Sequence, residues 1–293
     1  MFQAKKNKNF SKFKPIVQYS QQNYANNKIL FYVWFEAMHT RIDLAICAEA
    51  DAENLEEIAT EIKAEIQKYE EIANRFSPES ELSFVNENGF TGKTMVISPE
   101  LYEILADCQV YNQKTLGYFD ISINSFSRYK KNAKAYILDS KNSAVQLSHP
   151  DVQLDLSGFI KGYALAKVSQ LLEKKGIENA LINIGNSSVL AKGNHPFGNG
   201  WKISVPATGN EYVLQNECLT TSGNTDVTKY PVINPKTGEI DRSKSSVSVI
   251  TTCPTIGEVL STVAYIAADN ELDELLIVFD GKIQGKRINS SKS

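Results

Sequence analysis

The densest run of chemistry-bearing residues is Asp155-Leu156-Ser157-Gly158-Phe159-Ile160-Lys161-Gly162-Tyr163-Ala164. An acidic residue ends an apolar stretch, small residues make a turn, and a helix opens with a lysine. Small turn residues let a ligand approach the backbone, and a helix N-terminus offers free N–H groups to a phosphate. Lys161 adds a positive charge. The same residues also read as an ordinary strand–turn–helix junction with a solvated lysine. The run is neither a Walker A loop nor a GxGxxG fingerprint. Asp120, after Gly117-Tyr118-Phe119, is a second carboxylate beside an apolar run. An aspartate so placed caps a turn or accepts hydrogen bonds from a polar ligand. Thr255-x-x-Glu258 has the form of a capping box. Of the three histidines, His149 and His195 stand beside prolines in loop-like surroundings, and His39 follows Met38 between two apolar runs.

The elements that must position these residues follow from periodicity. Ile29–Phe35 and Thr40–Cys47 are rich in β-branched and aromatic residues and read as strands. Leu55, Ile58, Ile62, Ile66, Tyr69, Ile72 and Phe76 recur at three and four residues, one face of a long helix that Ser77-Pro78 ends. Ser98-Pro99 starts a second helix through Leu101, Ile104, Leu105, Cys108 and Tyr111, with Gly117 as its stop. Val152–Leu156 reads as a strand, and a third helix runs through Ile160, Ala164, Leu165, Val168 and Leu172 to Gly176. Ala180–Ile184 is a strand, Thr255 to Ala267 a helix, and Asp280-Gly281 the turn of a hairpin. The irregular alternation predicts an α+β fold with mixed, largely antiparallel sheets packed with helices, rather than a doubly wound parallel sheet.

Bulk properties narrow the class. The 293 residues are 42% hydrophobic with a net charge of -3, so a sizeable core is available and no general affinity for nucleic acid or anionic membrane is expected. The four cysteines, Cys47, Cys108, Cys218 and Cys253, are dispersed, which argues against a zinc ribbon or a CxxC redox pair. No apolar run is long enough to span a membrane. Met1 to Asn27 is rich in Lys, Asn and Gln and lacks a signal-peptide core, and no cysteine precedes Cys47. The expectation is a cytoplasmic protein with a flexible leader over 1–27, a single domain over 28–288 and a frayed tail over 289–293.

Several blocks, in order, resemble the FAD:protein FMN transferase family, also called ApbE-like. Asp155–Ala164 resembles its DLSGIAKGYA block. Phe35-Glu36-Ala37-Met38-His39-Thr40 resembles "F-x-A-M-G-T", and Arg75-Phe76-Ser77-Pro78-Glu79-Ser80-Glu81-Leu82-Ser83 resembles "R-F-x-P-x-S-E-L-S". Gly117-Tyr118-Phe119-Asp120, Asn183-Ile184-Gly185, Thr221-Ser222-Gly223-Asn224 and Asn234-Pro235-Lys236-Thr237-Gly238 resemble "G-A/Y-F-D", "N-I-G-G", "T-S-G-N" and "D-P-R-T-G". The resemblance implies an ApbE-like fold that binds FAD with Mg²⁺ on its pyrophosphate. A threonine hydroxyl of a client protein attacks the FMN phosphorus and AMP leaves. By position, Met38, Phe76, Tyr118, Phe119, Asp120, Asp155, Lys161 and Val232 would line the FAD site. Glu258, Thr262 and the Gly158 carbonyl would hold the metal. Four-residue spacing puts Glu258 and Thr262 on one helical face, and oxygen ligands suit Mg²⁺. The capping-box reading of Glu258 needs no metal.

The chain departs from the family pattern at specific places. The family histidine falls on Pro231, so no catalytic residue is assigned, and the following aspartate falls on Asn234. The Asp after "KGYA-x" is Ala166, the second Gly of "NIGG" is Asn186, the Gly of "A-M-G-T" is His39, and the metal Asp is Glu258. Proline can neither accept nor donate a proton, so weak transfer or none is expected. The alternative on the same scaffold is a flavin-binding protein that transfers nothing.

Overall fold

β-Branched and aromatic residues from Ile29 to Ala48 fold into a hairpin whose side chains alternate in burial, and the rest of the molecule is assembled on it. The computed structural model describes residues 19–23, 28–49, 51–125, 134–205, 209–223, 232–241, 246–267, 269–279 and 282–283. β2 (Ile29–Ala37) and β3 (Thr40–Ala48) pair antiparallel from Ile29↔Ala48 to Ala37↔Thr40. β1 (Tyr19–Asn23) pairs with β2. Part of the expected flexible leader is therefore a strand, because the free edge of β2 offers it a ladder of hydrogen bonds. The sheet continues through β7 (Ala180–Ile184), β8 (Ser188–Lys192), β11 (Glu217–Gly223), β14 (Ser246–Thr251) and β15 (Lys282–Ile283), in the order β1-β2-β3-β7-β8-β11-β14-β15. Every pairing in it is antiparallel.

One face of this sheet packs against α1 (Ala52–Ala73) and α4 (Ile160–Lys174). Phe31, Val33, Ile42, Leu44 and Ile46 from the sheet meet Leu55, Ile62 and Ile66 of α1 and Leu165, Val168 and Leu172 of α4 in one buried cluster. The Asp51 side chain caps α1 by accepting from Asn54 N–H at 2.8 Å. The opposite face is partly covered by a hairpin of β9 (Trp201–Val205) and β10 (Asn210–Leu214), which buries Trp201, Val205 and Leu214 against Val189, Leu219 and Ile250. A second core gathers α3 (Pro99–Lys114), α5 (Pro254–Ile266), α6 (Asp269–Val278) and a small sheet of β4 (Met95–Val96), β6 (Ala144–Leu147) and β5 (Tyr136–Asp139). The architecture is α+β with antiparallel sheets, as the pattern of elements predicts. All four cysteines are free thiols. Among the described residues no helix is long and apolar enough to cross a membrane.

Three local expectations are corrected. Residues 152–156 alternate buried and half-buried side chains yet form no strand. Their N–H groups find partners outside any ladder: Leu154 donates to Asn86 Oδ1 at 2.7 Å and Asp155 to the Ile121 carbonyl at 2.7 Å. The segment before Asp280-Gly281 is α6, not a hairpin arm, because Leu272, Leu275 and Phe279 bury at helical spacing. Asp280 and Gly281 themselves lie outside the described residues, as do 1–18 and the tail. Finally, the Ser80-Glu81-Leu82-Ser83 stretch opens an unanticipated helix, α2 (Glu81–Asn88), with the Ser80 hydroxyl accepting from Ser83 N–H at 3.0 Å.

Candidate functional site

Four of the expected site residues converge on one cleft. The β2–β3 turn delivers Met38, the end of α1 delivers Asn74, Arg75 and Phe76, and the turn into α4 delivers Asp155, Ser157, Ile160 and Lys161. The cleft has a volume of about 110 Å³ and also exposes His39, Glu70 and Ala73. Met38, Ala73, Phe76 and Ile160 form an apolar wall, and Arg75 and Lys161 supply positive charge. Phe76 is 68% exposed at the rim, with the Arg75 guanidinium 4.3 Å from its ring centroid.

Asp155 organises the turn. Its Oδ1 accepts from Ser157 N–H at 2.9 Å, and its Oδ2 accepts from Asn124 Nδ2 at 2.6 Å. Arg75 Nε lies 3.0 Å from the same Oδ2 but off the line of a hydrogen bond, so charge alone holds that pair. The Nε is buried against that carboxylate without an aligned acceptor.

Behind the cleft, Lys161 donates to Ser187 Oγ at 3.1 Å, and Ser187 Oγ lies 3.4 Å from Ser188 Oγ. Ser188 in turn donates to Glu258 Oε1 in a short hydrogen bond. Glu258 is 7% exposed. Burial pushes its carboxyl up to about 7, opposed by the Ser188 hydrogen bond and by the charge of Lys161. The capping-box reading of Thr255 and Glu258 is overturned. The N-cap of α5 is Cys253, with no side-chain cap, and Thr255 Oγ1 turns to the Gly162 carbonyl at 3.5 Å. The Glu258 carboxylate reaches across to Ser188 instead.

The expected metal ligands come from separate segments brought side by side. A Cβ built on Gly158 would lie 4.0 Å from Thr262 Oγ1, and one on Gly162 would run into Glu258 Cγ at 2.4 Å. Thr262 Oγ1 donates to the Glu258 carbonyl at 3.2 Å, which leaves its lone pairs available. Among the described residues no group of three or more His, Cys, Asp or Glu side chains converges as a metal cage. A cation here would therefore meet one carboxylate, a hydroxyl and a backbone carbonyl, a hard-oxygen set completed by phosphate or water. That composition fits Mg²⁺, which is commonly bound through one or two carboxylates plus substrate phosphates.

The other expected residues do not line this cleft. Tyr118 and Phe119 are 4% exposed and belong to the second core, where Phe119 packs on Phe159 with ring centroids 5.8 Å apart. Tyr118 donates to Glu271, and Lys236 stands 3.9 Å over its ring while donating to Glu271 Oε1 at 3.0 Å. That triad ties the Asn234–Gly238 turn to α6. Asp120 folds back to accept from Ser122 N–H and Oγ, at 2.8 and 2.6 Å. Val232 is half-buried against the second core, in a two-stranded ribbon of β12 (Val232–Ile233) and β13 (Ile240–Asp241). Pro231 and Asn224 lie outside the described residues. Sequence reasoning passed over Ser187, Ser188, Asn74 and Glu70. Only the position of Ser187-Ser188, one residue past the Asn183-Ile184-Gly185 block, signalled the two serines.

Comparison with known proteins bears on the family and the fold. The family model described as the ApbE family matches residues 38–283. A Chlamydia muridarum protein named FAD:protein FMN transferase is 27% identical over 176 residues, 53% of this chain and 55% of that one. The match thus spans little more than half of that relative's length. A Haemophilus influenzae protein of the same name is 25% identical over 271 residues, 78% of this chain and 75% of its own. Among solved structures, the flavin transferase ApbE from Vibrio cholerae superimposes with a TM-score of 0.72 over 91% of this chain and 93% of that one, at 17% identity.

Proposed function

Because the chain belongs to the ApbE family, we propose that it binds FAD in the Met38–Lys161 cleft and transfers FMN from it to a threonine of a client protein, with Mg²⁺. The observation that carries this reading is the convergence of Met38, Phe76, Asp155 and Lys161, from three separate segments, on one cleft backed by a buried carboxylate. In the reaction the threonine oxygen forms a bond to the FMN phosphorus. The bond from that phosphorus to the bridging oxygen breaks, AMP leaves with the bridging oxygen, and the hydroxyl proton passes to a base. The protein's contribution to such chemistry is mostly positioning and charge stabilisation.

The apolar wall of Met38, Ala73, Phe76 and Ile160 suits a planar ring, and Lys161 and Arg75 offset pyrophosphate charge. Asp155 holds Arg75 and shapes the turn that brings Gly158 beside Thr262. Glu258, Thr262 and the Gly158 carbonyl would hold Mg²⁺, which supplies Lewis-acid neutralisation of the pyrophosphate when bound. The base is the open role, since Pro231 stands where the family has histidine. A second reading therefore keeps the same site and omits transfer: a flavin-binding protein.

The test is a titration of FAD into the apo protein, followed by flavin fluorescence, with and without Mg²⁺. Quenching that Mg²⁺ tightens is expected. No quenching and no thermal shift at high FAD would refute the flavin reading. Incubation with a threonine-bearing client, FAD and Mg²⁺, read by mass spectrometry, separates transfer from binding alone.

A further inference from the structure

The turn that joins β2 to β3 runs against its own backbone preference. Met38 and His39 both have positive φ, 53° and 57°. This is the pattern of a two-residue hairpin turn that Asn-Gly or Asp-Gly fills without strain. Methionine and histidine carry a steric penalty there. The penalty is kept at the one place where the turn delivers both side chains to the cleft. Strain of this kind, held beside a ligand-sized cleft, is the observation from which a functional turn is inferred.

The imidazole is also oriented. Asn74 Oδ1 accepts the Phe76 N–H at 3.1 Å, so the amide nitrogen of Asn74 is the atom that faces His39 Nε2, at 3.1 Å. The amide donates and Nε2 accepts. In the neutral ring the proton then resides on Nδ1, which is left as a donor. Glu70 Oε1 lies 4.0 Å from Nε2, beyond hydrogen-bond reach, and the His39 side chain is 72% exposed.

We propose that His39 is a ligand-contacting residue of the cleft, donating its Nδ1–H to a carbonyl on the ring edge of a flavin laid against Met38, Ala73, Phe76 and Ile160. The inference rests on the flavin reading above and names a residue that fixes the ring end of the nucleotide. The flavin edge carries carbonyl acceptors that match an N–H donor. Adenine offers ring-nitrogen acceptors beside its amino donor, so the ADP arm of the test below separates the two ring ends.

His39→Gly is the informative change, because glycine relieves the turn while deleting the imidazole. Thermal unfolding without ligand is measured together with equilibrium binding of FAD, and of FMN and ADP as competitors, all in Mg²⁺. The unfolding temperature is expected to stay level or rise by about 2 °C. Affinity for FAD and FMN should fall about fivefold to tenfold, the scale of one lost hydrogen bond, and affinity for ADP should hold. His39→Asn, which tolerates the left-handed turn and keeps an N–H donor, should retain most of the flavin affinity. A drop of several degrees in His39→Gly would make the imidazole a brace of the fold and overturn the proposal. So would flavin affinity equal to the unmodified protein's, or a loss confined to ADP. If the unmodified protein binds no FAD at all, the flavin reading itself fails and this proposal falls with it. If it binds FAD and His39→Gly binds equally well, only the proposal fails.

Discussion

Glu258 is a carboxyl whose environment opposes its ionisation. A carboxylate buried with one hydroxyl donor and a lysine nearby is short of positive charge, and its carboxyl rises to about 7 from an ordinary 4.5. A folded-state value above the unfolded one means the folded protein holds its proton longer. The stability that this provides is fully present below about pH 4.5 and is lost as pH rises to about 7. Integrated over the shift, about 3 kcal/mol is lost across that window in the metal-free protein. Urea unfolding in a chelator at pH 5 and pH 8 measures it. Glu258→Gln, which cannot ionise, should flatten the slope, and an unchanged slope would remove Glu258 as its source. The same substitution should abolish the Mg²⁺ dependence of FAD binding. Persistence of that dependence would refute the metal assignment.

At the scale of elements, the site depends on how closely α5 approaches α4. Gly162 is the contact point, since a methyl group there would meet the Pro254 carbonyl oxygen and Glu258 Cγ, both at 2.4 Å. Backbone on one side cannot step aside as a flexible side chain does. Gly162→Ala should therefore cost about 3 kcal/mol, seen as a lower urea midpoint at unchanged slope. Gly158→Ala is the control. Its Cβ would meet nothing nearer than Thr262 Oγ1 at 4.0 Å, so stability should move by less than about 0.5 kcal/mol. Equal losses in the two variants would show that the α4–α5 contact is not the determinant. The spacing of apolar residues announced these helices, because amphipathic periodicity is a local property of the chain. It could not announce the approach distance, which both helices and the sheet beneath them set together.

At the scale of the whole molecule, the cleft bridges the two main cores. Met38 packs against both clusters, and α4 contributes Tyr163 and Ala164 to one and Leu165 and Val168 to the other. A ligand held there should stabilise the molecule as one unit. FAD at about a hundred times its dissociation constant should add about 2.7 kcal/mol, seen in calorimetry as one transition moved upward. A shift of one part of the thermogram alone would mean that the cores unfold separately. Catalysis also belongs to this scale, because client, flavin and base must meet. With Pro231 in place of a histidine, transfer should be weak or absent, since a lost general base costs about 10²–10⁴-fold in rate. Pro231→His should raise the yield of FMN-modified client in mass spectrometry. Efficient transfer by the unmodified chain would show that another group serves as the base.

The sequence alone determined the family, the α+β class and most elements, because ordered motifs and hydrophobic periods are written in neighbouring residues. It also determined that Met38, Phe76, Asp155 and Lys161 were candidates for one ligand. Only the tertiary structure decided that these four share a cleft while Tyr118, Phe119, Asp120 and Val232 stand apart from its lining. It likewise decided against the cap reading of Glu258. Within the helix both readings are open, the cap at three-residue spacing from Thr255 and the metal pair at four-residue spacing to Thr262. The loss of the cap rests on Ser188, which lies far away in sequence and is adjacent in space through the pairing of β7 with β8 and the packing of α5 beside them. Residues 152–156 make the same point in reverse: their alternation is strand-like, but a strand requires a neighbour to complete its hydrogen bonds, and the chain brings Asn86 and Ile121 there instead.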